Sequence, residues 1–76
     1  MVDHIHIVIG SKLDEALGNP GEYAVQFMGA TLTFDNGSSA VAAYQNIEGE
    51  AYIWDVSRNN RAVLLEAKLF KEYFAE

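Results

Sequence analysis

The stretch RAVLLEAKLFKEYFAE, residues 61–76, decides the fold class that this sequence predicts. Its apolar side chains recur three and four positions apart, which is the period of an amphipathic helix. They form two adjacent rows on a helical projection: Ala62, Leu65, Leu69 and Tyr73, with Val63, Phe70 and Phe74 beside them. Because Asn59 or Asn60 could cap the first turn, the pattern predicts that the chain ends in an α-helix.

Two elements are predicted at the start of the chain. In DHIHIVIG, residues 3–10, isoleucines alternate with His4, His6 and a valine, and this period of two predicts a strand. Residues 11–21, SKLDEALGNPG, place Ser11 three positions before Asp14, as in a capping box, and end in glycine and proline. They predict a helix of about two turns.

The middle of the chain predicts a hairpin and a further strand. EYAVQFM (22–28) and TLTFD (31–35) both alternate, and a glycine at the first position between them predicts a type II′ turn. EAYIWDV (50–56) alternates as well, and its large aromatic residues, Tyr52 and Trp54, are expected in the core.

Residues 38–48 are compatible with either a helix or a strand. The apolar positions Ala40, Ala43, Tyr44 and Ile47 have the spacing of one helical face, whereas alanine is a weak strand former. The helix is therefore the favoured interpretation.

These elements predict an α+β fold with the order β-α-β-β-α-β-α. A four-stranded sheet with its helices packed on one face, as a two-layer sandwich, is an economical solution for a short chain. With 76 residues and no cysteine, we expect a single globular domain, 1–76, that depends on its apolar core for stability.

The charge distribution predicts the class of partner. The net charge is −6, and residues 1–57 carry eight of the eleven acidic side chains but only one of the five basic ones. Nucleic acid and anionic membranes bind positive surfaces, so neither is expected as a partner. No apolar run approaches the roughly 20 residues of a membrane span, and a cytoplasmic location is expected.

The sequence accordingly favours a small acidic, non-catalytic interaction module without a cofactor. It would inhibit or regulate a partner by covering a basic, nucleic-acid-binding surface, an analogy in size and charge with phage anti-defence proteins. The candidate partner-binding residues are Asp14, Glu15, Glu22, Asp35, Glu48, Glu50, Asp55, Leu64, Tyr73 and Phe74.

A small metal-dependent or acid/base enzyme is the first alternative. His4 and His6 would lie about 6.5 to 7 Å apart on one face of a strand, close enough to share a zinc ion. Glu66 falls within the apolar arc of the expected C-terminal helix and could complete the site, but no third ligand stands at a recognisable spacing. Neither a metal site nor a catalytic residue is therefore predicted.

A homodimer built on the C-terminal helix is the second alternative. The apolar arc of that helix would span about 200°, nearly twice what one sheet face requires, and Leu64 would point to its polar side. Excess apolar surface on a terminal helix is typical of self-association or docking.

Overall fold

The computed structural model describes the backbone of residues 2–58 and 61–74 and the side chains of residues 7–56 and 61–69. Five strands and one α-helix are formed in this part of the chain. They are β1 (Val2–Ile9), β2 (Pro20–Phe27), β3 (Ala30–Asn36), α1 (Gly37–Gln45), β4 (Ala51–Arg58) and β5 (Arg61–Phe74). A 3₁₀ turn at Leu13–Glu15 connects β1 to β2.

The five strands form one antiparallel sheet in the order β1-β5-β4-β2-β3. Since β3 and β4 lie on opposite sides of β2, the segment between them has to cross over that strand. Helix α1 makes this crossing and packs against β2, β3 and β4. We call the side of the sheet under α1 the covered face and the other side the open face.

Helix α1 starts where it does because its first turn is capped. The Asn36 side chain accepts hydrogen bonds from the backbone N–H groups of Ser38 and Ser39, at 2.7 and 3.2 Å. The Gly37 N–H donates to the Asn19 carbonyl oxygen at 2.8 Å, so the helix start lies against the segment that leads into β2. A β-carbon at Gly37 would overlap the Ala16 carbonyl group, and only glycine fits this approach.

The core lies between α1 and the covered face. Its buried members come from the first connection, α1 and the three inner strands: Ala16, Tyr23, Val25, Ala40, Val41, Tyr44, Ala51, Ile53 and Leu65. Ala51 and Ile53 of β4 are fully buried, so Tyr52 and Trp54 alternate onto the open face, where the Trp54 ring N–H donates to the Gln26 side chain at 2.7 Å. The expectation that these two aromatic residues belong to the core is wrong.

The expected fold class is also wrong, and the C-terminal segment is the main reason. Residues 61–74 form the longest strand of a five-stranded sheet, and one α-helix takes the place of the three that were expected. The first half of β5 pairs with β4, as far as Lys68 opposite Ala51, and the second half pairs with β1, from Ala67 onward. Ladder bonds on one side or the other outweigh the helix propensity of its Ala, Leu, Glu and Lys residues.

The expected helix after β1 is reduced to the 3₁₀ turn at Leu13–Glu15. Lys12 occupies the capping position without a side-chain hydrogen bond, and Ser11 has a positive φ of 43°, so the expected capping box does not form. The Lys12 N–H instead donates to the Leu65 carbonyl oxygen at 2.8 Å. This bond holds the start of the β1–β2 connection against β5. Only the short 3₁₀ turn forms between this bond and β2.

The hairpin between β2 and β3 forms with a different turn from the expected one. Phe27 lies opposite Ala30, so the two turn residues are Met28 and Gly29, one position earlier than expected. Their φ angles are 47° and 77°, and positive values at both positions define a type I′ turn rather than a type II′ turn.

Candidate functional site

Most of the exposed charged side chains in the described chain are carboxylates. Of the seven acidic residues singled out from the sequence, Asp55 is half-buried and the other six are exposed: Asp14, Glu15, Glu22, Asp35, Glu48 and Glu50. Within the described residues no ion pair neutralises any of these six. Their charges therefore face solvent.

Glu22 and Asp35 lie at the same end of the sheet. Tyr23 of β2 lies opposite Phe34 of β3, and the two carboxylates stand on the residues next to this pair. Both line a shallow depression of about 620 Å³, together with the two aromatic residues and Ser39 of α1. Asp55 lies opposite Tyr23 on the other side of β2, which brings a third acidic position to the same end.

A second pair of carboxylates borders the groove between the 3₁₀ turn and α1. Asp14 and Glu66 line this groove, which has a volume of about 330 Å³, and Gln45 stands beside them. Glu66 is half-buried on β5 opposite Ile53, and not on a helix as the sequence predicted. It therefore lies at the seam between the sheet and α1.

Glu66 faces the buried hydroxyl of Tyr44, one of the largest side chains of the core. Burial raises the pKa of the Tyr44 hydroxyl, and its interaction with the Glu66 carboxylate raises that pKa further. The hydroxyl makes no hydrogen bond of good geometry with any group in the described chain. Burial and the Glu66 charge therefore both favour the protonated form of the Tyr44 hydroxyl.

Lys68 anchors the other side of Tyr44. Its ammonium group lies 4.9 Å from the centre of the Tyr44 ring and donates to the backbone carbonyl oxygens of Tyr44, at 3.0 Å, and Ile47. These carbonyl groups lie at the end of α1, where a cation is favourable. Lys68 therefore serves as an internal C-terminal cap, and its charge is engaged inside the fold.

Glu50 lies at the opposite end of β2. Glu50 lines a depression of about 580 Å³ at the hairpin tip, beside Met28 and Tyr52. It is five residue steps along the strand from Asp55, or about 16 Å. The acidic residues therefore occupy separate regions of the surface and do not form one continuous face.

Met28 is a feature that the sequence interpretation missed. It occupies a turn position, is 95% exposed and has a positive φ, which is unusual for a long apolar side chain. The only sequence signal is its position before a glycine between two alternating segments.

The register of the sheet separates the residues of the enzyme alternative. His6 lies opposite Phe70 and His4 opposite Glu72, while Glu66 lies further toward the start of β5. Glu66 is four residue steps of extended strand from the position opposite His6, about 13 Å along the sheet. The backbone therefore does not bring His4, His6 and Glu66 together.

The three apolar anchor residues all lie on β5. Leu64 is half-buried and lies opposite Trp54. Tyr73 and Phe74 lie in the half of the strand that pairs with β1, and their side chains are outside the described residues. Because this segment is a strand, the interface expected on a C-terminal helix does not exist.

Comparisons with known proteins add no family to this description. No protein-family model matches the chain, and neither the curated proteins nor the solved structures contain a significant match. Among the described residues, no helix has the length and apolar character needed to cross a bilayer.

Proposed function

We propose that this chain is a small acidic interaction module that binds a basic surface on a partner protein. The observation that carries the proposal is the set of six exposed carboxylates that no ion pair neutralises within the described residues. Basic surfaces on intracellular proteins commonly serve nucleic acids, so the module would act as an inhibitor or regulator by occupying such a surface.

The depression that contains Glu22 and Asp35 is the best candidate for the point of contact. Its two carboxylates can accept hydrogen bonds from a guanidinium group, and carboxylate pairing with arginine is often bidentate. Phe34 lines the same depression and is half-buried, so it offers aromatic surface against which a planar cation can pack. Tyr23 lies beneath it as part of the core. This combination favours an arginine side chain of the partner over a lysine.

The charges of the rest of the molecule favour association with a basic partner, but they do not determine where on the surface it binds. Lys68 is engaged at the end of α1, so the exposed basic residues among the described side chains are Lys12 and Arg61. A surface with this imbalance attracts cationic partners over a distance of about 10 Å at moderate ionic strength.

A matched pair of charge variants tests the proposed contact. Glu22→Gln with Asp35→Asn removes two charges from the depression, and Glu48→Gln with Glu50→Gln removes two charges from the other end. Binding to a labelled arginine-rich peptide is measured by fluorescence anisotropy at low and high salt. We expect the first variant to bind about tenfold more weakly, equivalent to about 1.4 kcal/mol, and the control to change by less than about threefold.

Equal losses in the two variants would show that net charge alone attracts the peptide, and the contact at Glu22 and Asp35 would then be rejected. The absence of salt-sensitive binding in the unmodified protein would reject the whole proposal.

The proposed competition with nucleic acid is tested separately, with a partner captured at low salt and a labelled duplex bound to it. Release of the duplex on addition of the acidic protein is expected, and simultaneous binding of both would contradict it.

A further inference from the structure

The outer end of the sheet is a two-stranded ribbon, formed by β1 and residues 67–74 of β5, which we call the β1–β5 ribbon. Strand β4 pairs with β5 only as far as Lys68, so the second half of β5 has β1 as its one partner within the described chain. Helix α1 packs over β2, β3 and β4, away from the ribbon end of the sheet. Two-stranded ribbons without a covering layer are marginally stable in water.

The free edge of β1 carries few of the features that normally protect an edge strand. Natural edges carry charged side chains, especially lysine, or proline or a bulge, or are very short. The one charged residue of β1 is Asp3, near its start. Strand β1 is eight residues long, contains neither lysine nor proline, and pairs with β5 without a register shift. Its last three residues expose apolar side chains in succession: Ile7 is 40%, Val8 57% and Ile9 48% exposed.

We infer that the edge of β1 binds a second copy of this chain, with the two β1 strands pairing antiparallel about a twofold axis. Such an edge is self-complementary, because antiparallel pairing of a strand with its own copy satisfies the open N–H and carbonyl groups of both. Each two-stranded ribbon would become half of a four-stranded region in a continuous sheet.

Charge favours a second copy over a basic partner at this edge. Because the Lys68 charge is engaged at the end of α1, the charges of the β1–β5 ribbon are Asp3, Glu72 and Lys71, a formal net charge of −1 in a chain of net charge −6. Two copies can therefore approach through their ribbons without bringing their acidic ends together. A cationic partner would find little charge complementarity here, so this surface is distinct from the depression with Glu22 and Asp35.

Edge substitutions provide the first test. Sedimentation equilibrium of the full chain should show a species of twice the 8.4 kDa monomer mass. Val8→Lys places a charge on the β1 edge, and Leu32→Lys places the same charge on the other edge strand, β3, at a site that is 44% exposed. We expect Val8→Lys to raise the dimer dissociation constant about tenfold or more and Leu32→Lys to leave it unchanged.

Hydrogen exchange of the unmodified protein provides a second test that does not depend on a variant. In a monomer the amides of β1 that point away from β5 exchange rapidly, so protection alternates along the strand. In the proposed dimer the outward amides near the twofold axis are protected too, and dilution restores the alternation. A protein that stays monomeric, or a dimer that keeps the alternating pattern, would overturn the inference. So would a dimer that Leu32→Lys disrupts and Val8→Lys does not.

Discussion

At the scale of single residues, Met28 stabilises the fold less than another residue would. A long apolar side chain at positive φ is strained by roughly 1 kcal/mol, and Met28 makes little use of burial to offset it because it is 95% exposed. Asparagine before glycine is the preferred pair in a type I′ turn. We expect Met28→Asn to raise the free energy of unfolding by about 0.5 to 1 kcal/mol in urea titrations.

The neighbouring glycine supplies the control for this prediction. Gly29 has a φ of 77°, and a β-carbon added there would meet no atom within 4 Å, so Gly29→Ala introduces strain without a clash. It should lower the free energy of unfolding by about 1 kcal/mol. If both variants shifted stability in the same direction, backbone strain would not be the cause.

Gly37 is required for a different reason, namely the close approach of two chain segments. The β-carbon of an alanine there would overlap backbone atoms of Ala16, which no rotamer change can relieve. We expect Gly37→Ala to lower the free energy of unfolding by about 3 kcal/mol or more, as for severe overpacking. Gly49→Ala is the matched control, because its β-carbon would lie in open space, and it should change stability by less than about 0.5 kcal/mol.

The placement of individual residues in β4 could not be deduced from their alternation. Both alternating sets are apolar, and residue size favours Tyr52 and Trp54 for the core. The fold instead places Ala51 and Ile53 under α1, where the small alanine allows the helix to lie close to the sheet and Tyr44 fills the space. Which of the two alternating sets of β4 faces the core depends on the distance between α1 and the sheet. The sequence of β4 alone does not determine that distance.

At the scale of elements, the contact between α1 and β5 predicts sensitivity to alkaline pH. The pKa of the Tyr44 hydroxyl is raised in the folded state, so the unfolded chain loses this proton first, near the ordinary value of 10.0. The stabilisation is complete below that value and is lost as pH rises from it toward the raised folded pKa. One such group should cost about 1.4 kcal/mol between about pH 9 and about pH 11.

Comparison with Tyr44→Phe isolates this effect, since both proteins share every other group that titrates at alkaline pH. The free energy of unfolding of the variant should fall less steeply over that range in denaturant titrations. Equal slopes for the two proteins would show that the Tyr44 hydroxyl is not responsible.

The element that the sequence failed to predict is β5, whose conformation depends on its neighbours. Its odd-numbered positions from Val63 to Leu69 are all apolar, so strand alternation is present alongside the helical spacing. The segment pairs with β4 over one half and β1 over the other, and these partners lie up to about 70 residues away in sequence. Helix α1 and the β2–β3 hairpin depend on local caps and turns, and the sequence located both.

The candidate contact site was predictable only in part. Exposure of Glu22 and Asp35 follows from their charge, but their proximity depends on the register of the hairpin. A turn one residue later would shift each β3 partner by two positions and carry Asp35 away from Glu22. The sequence could therefore identify the acidic residues, whereas their grouping required the observed turn at Met28 and Gly29.

At the scale of the whole molecule, the charge distribution predicts opposite salt dependences for binding of a basic partner and for dimerisation. The molecule extends 48 Å along one axis and 23 and 21 Å along the others, and its net charge is −6. Binding of a basic partner relies on attraction, so its dissociation constant should rise with salt. Two acidic copies repel each other while their ribbons carry little net charge, so screening should strengthen the dimer.

Measurements at about 50 and about 500 mM salt, with the Debye length falling from about 14 to about 4 Å, should resolve this difference. We expect weaker peptide binding and a severalfold tighter dimer at the higher concentration. Glu22→Gln with Asp35→Asn lowers the net charge to −4, from −6, and should flatten both dependences. A dimer that weakens with salt would mean that ionic contacts hold the copies together, and pairing through the weakly charged ribbons would then be excluded.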